Sequence, residues 1–331
     1  MALKTSLINT FCQLGGFRLA RYLTRHYPRI LMYHRFSGQA AGNRVSMDLF
    51  EQQIIEIRNN FNIQPLSRLC DYIRQGKPAP PYSIALTIDD GYDDFYRFAF
   101  PVLKKHNVPA TLYVTAGFID RKLWLWPDRI AYILKTTACT ELTYTRKDTT
   151  QAILPLSGDS ERNKAWSALN SHCLSVGHEE RQQFLENLAR QLAVSVSPEP
   201  APDYAPMSWS AVSELSENGI EIGAHSCTHP ILSNLGRERL QEEILGSKKR
   251  IEEFVSRPVT AFCYPNGQRE DYNELVKQVV IESGFDSATV AFHDKKGWQD
   301  LFEIRRYGVG QNPIQFRKAL YGVEYLSDPA L

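Results

Sequence analysis

The sequence predicts an α/β fold in which helices cover a parallel sheet, arranged either as an open doubly wound sheet or as a closed barrel. Short apolar, β-rich runs alternate with amphipathic stretches of helical period. The clusters of acidic and imidazole side chains fall directly after such runs, where strand C-termini of this fold class assemble chemistry. A chain of 331 residues, 43% hydrophobic and 23% charged, suits one large domain, or one domain with a sizeable insertion.

In chain order, Arg29 to Tyr33 reads as the first strand, and Met47 to Asn60 as a helix behind a Ser46 cap. Ser83 to Ile88 is a second strand. A helix from about Asp93 to Asn107 and a strand from Ala110 to Val114 follow. Between roughly Phe118 and Pro206 the alternation lapses into a Thr-, Ser- and charge-rich region with helical periodicity around residues 161–196 and prolines from Pro198 to Pro206. This region, at about 118–206, is expected to be a largely helical insertion that forms a lid or substrate platform, with Trp124, Trp126 and Tyr132 either stacking on sugar rings or packing it down. Alternation resumes with a strand at Ile220 to Ile222, a helix across Gly236 to Val255 and a strand at Val259 to Cys263. A helix across Asp271 to Ser283, a strand from Ser287 to Phe292 and a strand-like run from Glu303 to Val309 complete the series.

The net charge of +1 gives no preference for polyanions, so nucleic acid is not an expected partner. The distribution is uneven. The first 47 residues hold seven basic and no acidic residues, leaving −6 for the remainder. Residues 1–27 form a basic amphipathic segment, with Leu3, Leu7, Phe11, Leu14 and Phe17 at helix-like intervals, which either touches anionic lipid or packs on the domain spanning 28–331. No apolar run is long enough to span a bilayer, and Gly15-Gly16 with the arginines interrupts a signal-peptide core. The six cysteines form no CxxC pair and read as reduced, buried thiols. The expected compartment is the cytoplasm, with contact to the inner membrane face.

Thr87-Ile88-Asp89-Asp90-Gly91 ends an apolar strand with two adjacent carboxylates, an arrangement that is unfavourable unless a cation shares them or they cap the helix from Asp93. His225-Ser-Cys-Thr-His229 follows the strand at 220–222, and imidazoles four residues apart can meet one metal. One carboxylate with two histidines leaves a coordination position open, as a hydrolytic metal site requires. Cys227 between them reads as a small buried residue.

These motifs resemble the polysaccharide deacetylase family that carries the NodB homology domain: Thr87-Ile88-Asp89-Asp90-Gly91 is similar to its first motif and His225-Ser226-Cys227-Thr228-His229 to its second. The resemblance covers about residues 29–117 and 207–310. It implies a distorted (β/α) barrel of about seven strands. It further implies that Asp89 is the general base and that Asp90, His225 and His229 bind a divalent metal, Zn2+ first and Co2+ or Ni2+ as alternatives. Where the family has Arg-x-Pro-Tyr-Gly, this chain has Cys263-Tyr264-Pro265-Asn266-Gly267, so the base-orienting arginine is replaced by Cys263 and the backbone N–H of Asn266 is left for an oxyanion. Arg305 or Arg306 is the candidate to orient Asp89. The family's C-terminal Leu-x-His motif is missing after Tyr307, and Leu31-Met32-Tyr33-His34 resembles the opening motif of the biofilm poly-N-acetylglucosamine deacetylases. The resemblance therefore implies that His34 is the general acid, with His293 second.

The expected function is removal of N-acetyl groups from an N-acetylhexosamine of a surface polysaccharide or lipid-linked glycan. Two alternatives are an amidase of the same fold acting on a non-sugar amide, and a catalytically silent glycan-binding module.

Overall fold

The computed structural model describes residues 15–146, 150–294 and 299–327. Seven parallel strands form its centre: β1 (Arg29–Tyr33), β2 (Ser83–Ile88), β3 (Thr111–Val114), β4 (Glu221–Ala224), β5 (Ala261–Cys263), β6 (Ser287–Thr289) and β7 (Tyr307–Gly308). They are hydrogen-bonded in the spatial order β6-β5-β4-β3-β2-β1-β7. The sheet curls into a distorted (β/α) barrel. A parallel bridge between Thr289 and Ile304 brings the chain from β6 toward β7, which pairs with β1 through Leu31 and Tyr307. Residues 304–308 thus stand where the two ends of the sheet approach each other.

The strands are apolar throughout because both faces are covered. β1 and β2 are buried at every position. The two-residue period of a strand then sorts their side chains. Leu31, Tyr33, Ile84, Leu86, Ile88, Leu112 and Val114 pack into the large outer core, whereas Ile30, Ala85, Tyr113, Cys263 and Ile304 fill a smaller cluster with Leu66, Leu69 and Cys70. The helix Leu66–Arg74 supplies these last three residues. Space inside is tight. Gly223 lies in register with Tyr113, and a Cβ there would sit 2.5 Å from the tyrosine ring and 2.9 Å from the carbonyl of Ala261.

The helix Met47–Asn60 begins at Ser46, whose hydroxyl accepts the Leu49 N–H, and Asn273 caps Glu274–Glu282 through the Val276 N–H. The helix expected from Asp93 is distorted, with a π-helical turn at Phe95–Ala99 before an α-helix at Phe100–His106. Pro101 explains the distortion, since it cannot donate a backbone hydrogen bond and its ring crowds the preceding turn.

Helices Trp126–Thr136, Asp159–Ser175 and His178–Gln191 surround a second apolar core containing Ile130, Ile133, Leu169, Leu185 and Leu188. This insertion also contains an antiparallel hairpin, Glu141–Thr145 with Gln151–Pro155, which the Thr-rich composition of the region obscured. The buried, alternating Leu142 and Tyr144 are its sequence signal. Trp126 belongs to the second core. Trp124 forms an aromatic cluster with Tyr132 and Tyr204.

In the basic N-terminal segment, Leu3, Lys4, Leu7, Phe11 and Leu14 lie outside the described residues. The helix Phe17–Leu23 packs through buried Ala20 and through Phe17, whose ring is 5.3 Å from that of Tyr321. Arg21 stacks over Tyr82 and donates to the Asn60 carbonyl. Leu19, Tyr22 and Leu23 are exposed. Among the described residues no helix is long and apolar enough to cross a membrane.

Candidate active site

Six candidate residues arise beyond a strand C-terminus, His34 after β1, Asp89 and Asp90 after β2, His225 and His229 after β4, and Asn266 after β5, whereas Arg305 and Arg306 immediately precede β7. Asp89 continues the inward row of Ala85 and Thr87 at alternate positions of β2, so its carboxylate points into the barrel mouth. Asp90 would point the other way if the strand continued. Instead the backbone turns left-handed there, with φ +80 at Asp90 and φ +95 at Gly91, and both carboxylates serve one site. A side chain at Gly91 would stand 2.7 Å from Ile119. Thr115, just beyond β3, ties the two functional loops together: its N–H donates to the Asp90 carbonyl and its hydroxyl to the His225 carbonyl.

Asp90 Oδ1 lies 3.6 Å from Nε2 of His225 and 3.6 Å from Nε2 of His229. A tetrahedral ion with bonds of about 2.0–2.1 Å separates its donor atoms by roughly 3.3 Å, so this triad fits a divalent cation with little movement. Nδ1 of His225 donates to the Cys263 carbonyl at 2.8 Å, since a carbonyl can only accept, and this leaves the Nε2 lone pair facing Asp90. Burial lowers His229 well below an ordinary imidazole, with His225 adding to the effect, so it is neutral as a ligand must be. Burial also raises Asp90, to about 7; the carboxylates of Asp89 and Asp128 add to this and His225 opposes it. A buried carboxylate that resists ionisation alone is what a bound cation would relieve. His225 belongs to a second acid-and-sulfur cluster with Asp89 and Cys263. That cluster is a poor metal site, because Asp89 is committed to an arginine and burial pushes the Cys263 thiol up.

Of the two adjacent arginines, Arg306 reaches Asp89 and Arg305 does not. Arg306 forms a bidentate pair with Asp89, at 2.7 Å and 2.8 Å, and donates to Thr87 Oγ1 at 3.1 Å and the Val290 carbonyl at 2.9 Å. It is fully buried, and its guanidinium rests 3.0 Å from the Cys263 sulfur. The small cysteine leaves the space that this guanidinium fills. Burial alone would raise Asp89, but Arg306 overrides it by charge and hydrogen bonding and holds the carboxyl well below the usual range. Arg305 instead pairs with Asp294 at 3.0 Å and Glu303 at 3.1 Å. Strand alternation separates the two neighbours.

His34 Nε2 is 3.8 Å from Asp89 Oδ2, and its side chain is 44% exposed at the mouth. Burial lowers the imidazole from its usual value against the pull of Asp89, and the charges of Arg306 and Arg35 and the neighbouring His225 add to the lowering. His293 stacks on Tyr307 and lies 3.9 Å from Glu324, so it faces a different carboxylate. Asn266 is left-handed at φ +59, and among the described residues its buried Nδ2 has no hydrogen-bond partner. Cys227 is not part of the Asp90 group, and its sulfur lies 3.4 Å from the Glu242 carbonyl.

Glu243 was not expected from the motifs. Its buried carboxylate accepts the backbone N–H groups of Cys227 and Thr228 at 3.0 Å and 2.8 Å, and the Thr228 hydroxyl at 2.7 Å. This stabilises a loop in which Ser226 and His229 both have positive φ. Its only sequence signal is an apolar-facing position in the helix Arg237–Glu252. A cavity of about 850 Å3 opens beside Thr228 and His229 and extends beneath the insertion.

The sequence model of the family described as polysaccharide deacetylase matches residues 76–172 and 177–288. A poly-beta-1,6-N-acetyl-D-glucosamine N-deacetylase of Escherichia coli K12 is 32% identical over 95 residues, a match covering 27% of this chain and 14% of that relative. Two solved structures share the fold. The Streptococcus pyogenes deacetylase PplD, in complex with acetate, is 16% identical with a TM-score of 0.58 over 89% of this chain and 98% of its own. IcaB from Ammonifex degensii is 17% identical with the same TM-score over 89% and 97%.

Two outcomes follow from this geometry. Apparent Zn2+ affinity, measured by chelator competition, should weaken about tenfold per pH unit below about 7, because the proton on Asp90 competes with the ion and is gone above that value. Affinity that stays flat from pH 5.5 to 7 contradicts this. Arg306→Met should lose roughly 3–5 kcal/mol in urea unfolding by leaving Asp89 buried and unpaired, and adding Asp89→Asn should recover much of the loss. A single-variant loss under about 1 kcal/mol would show the pair to be dispensable.

Proposed function

The chain belongs to the polysaccharide deacetylase family, and from that premise we propose that it removes N-acetyl groups from N-acetylhexosamine units of a surface polysaccharide or lipid-linked glycan in a metal-dependent hydrolysis. One observation carries the reading: a metal-competent Asp90, His225 and His229 triad stands beside an ionised Asp89 at the barrel mouth. A binding module has no use for that combination, which supports an enzyme over a silent relative. Acetate release from chito-oligosaccharides, measured together with metal content, tests the proposal against both alternatives.

When bound, the divalent cation would polarise the acetyl carbonyl and make water more acidic; Zn2+ is favoured, with Co2+ or Ni2+ as substitutes. Asp90, His225 and His229 would hold it. Asp89, kept ionised and oriented by Arg306, accepts the proton of the attacking water. The backbone N–H of Asn266 is proposed to stabilise the carbonyl oxygen as it gains charge. His34, on the exposed side of Asp89, then protonates the departing amine. The exposed Leu19, Tyr22 and Leu23 beside Arg18 and Arg25 support peripheral contact with an anionic membrane.

Asp89→Asn should keep metal yet lose turnover by orders of magnitude, whereas Asp90→Ala should lose metal; equal metal loss in both refutes the division of labour. His34→Gln should slow hydrolysis of an acetamide strongly and of an activated aryl acetate little, because a phenolate leaves without a proton. An equal decrease for both substrates in folded, metal-loaded protein removes His34 from the acid role. Binding to phosphatidylglycerol vesicles should weaken with salt and with Arg18 and Arg25 both changed to Gln. Indifference to such vesicles at low salt would assign the segment to packing alone.

A further inference from the structure

The acidic run that begins at Asp89 continues past the site, since Tyr92, Asp93 and Asp94 follow Gly91 directly. The last two acids part company. Asp93 is a surface residue, with its side chain 36% exposed and 3.7 Å from Arg97. Asp94 is buried. It stands where an acid ordinarily caps a helix, yet its side chain makes no cap bond to the turn Phe95–Ala99.

The Asp94 carboxylate turns instead to the loop that leaves β1. Its Oδ2 accepts from Arg35 Nε at 2.7 Å and its Oδ1 from the Phe36 N–H at 3.2 Å, so one side chain grips both residues that follow His34. Arg35 is held on its other edges as well. It donates to the Asp203 carbonyl, lies 3.5 Å from Asp128, and rests its guanidinium 3.8 Å over the Tyr92 ring. The Tyr92 hydroxyl in turn donates to Asp128 at 2.6 Å. A buried guanidinium with charge-assisted bonds on several edges is confined to one geometry.

His34 depends on such a hold. Its ring is 3.8 Å from Asp89 Oδ2, too long for a hydrogen bond, so Asp89 does not fix it. The sheet pairs β1 with β2 as far as Tyr33 and Ile88, one residue short of His34. The ladder of Phe36–Ser37 with Val45–Ser46 joins two parts of one loop and does not locate that loop against β2. Position matters here, because a proton donor displaced by about 1 Å can lose roughly a hundredfold in rate.

We propose that Asp94 is a positioning residue for the proton donor: through Arg35 and the Phe36 N–H it fixes the loop of His34 against the loop of Asp89 and Asp90. The step rests on the reading of His34 as the acid of a glycan deacetylase.

The test uses the metal-loaded full chain and two readouts. Amide exchange over residues 34–37 should quicken in Asp94→Ala, and less in Asp94→Asn, whose amide oxygen still accepts from Phe36, with β2 unchanged. Turnover of chitotetraose should fall about tenfold to a hundredfold in Asp94→Ala at nearly constant KM, while that of an activated aryl acetate falls less than about threefold. In a His34→Gln background the same change should lower chitotetraose turnover by less than about a further twofold, because the group it positions is already gone. Equal losses on the two substrates, a loss that adds fully to that of His34→Gln, or exchange at 34–37 that keeps its wild-type rate overturns the proposal. Should Asp94→Ala fail to fold, Asp94→Asn is judged by the same three outcomes. Wild-type protein that hydrolyses neither substrate refutes the deacetylase reading, and with it the positioning role, whereas the exchange difference separately establishes or refutes the tether between the loops.

Discussion

The bidentate pair between Asp89 and Arg306 joins what would otherwise be separate problems of folding and chemistry. Asp89 ends β2, and Arg306 stands in the segment between Ile304 and β7 that meets β6 on one side and β1 on the other. Burying either charge alone is strongly unfavourable, so the paired state favours the arrangement of these strands that brings both groups to the barrel interior. The same contact keeps the proposed base ionised. Thr87 and Cys263 complete the guanidinium's surroundings, and Cys263 does so by being small enough to leave it room.

The metal-competent half of the site depends on backbone strain held in place by neighbours. Asp90, Ser226 and His229 adopt positive φ, which side-chain-bearing residues rarely do. Thr115 bonds both loops to the end of β3, and Glu243 collects the donors of the histidine turn from a helix outside the barrel. The placement of Asp90, His225 and His229 is thus set by residues outside that triad. The insertion is held together separately, by its own apolar core.

A base that is ionised by a fixed ion pair differs from one that titrates near neutrality. With Asp89 held low, the pH response of the site shifts to Asp90, whose proton competes with a cation, and to His34 at the solvent edge. Two adjacent aspartates therefore acquire opposite electrostatic environments, one by pairing with arginine and one by burial beside like charge.

Periodicity and local chemistry sufficed to place the strands from Arg29, Ser83 and Ser287, the Ser46-capped helix and the acidic and imidazole clusters after strands, because each is written in neighbouring residues. The hairpin at Glu141–Thr145 escaped notice although its alternation is local, since Thr-rich composition masked two buried positions. Other features were not local at all. That Arg306 rather than Arg305 reaches Asp89 depends on which face the chain presents after bridging β6, 217 positions away from its partner. Glu243 looks like any acidic residue on an amphipathic helix until the fold carries it under the histidine loop. Local residue patterns were enough for the α/β class and for the acidic and imidazole clusters that a metal could use; which charges meet emerges only in three dimensions, because Coulomb energy and desolvation depend on distance in space and not on separation along the chain.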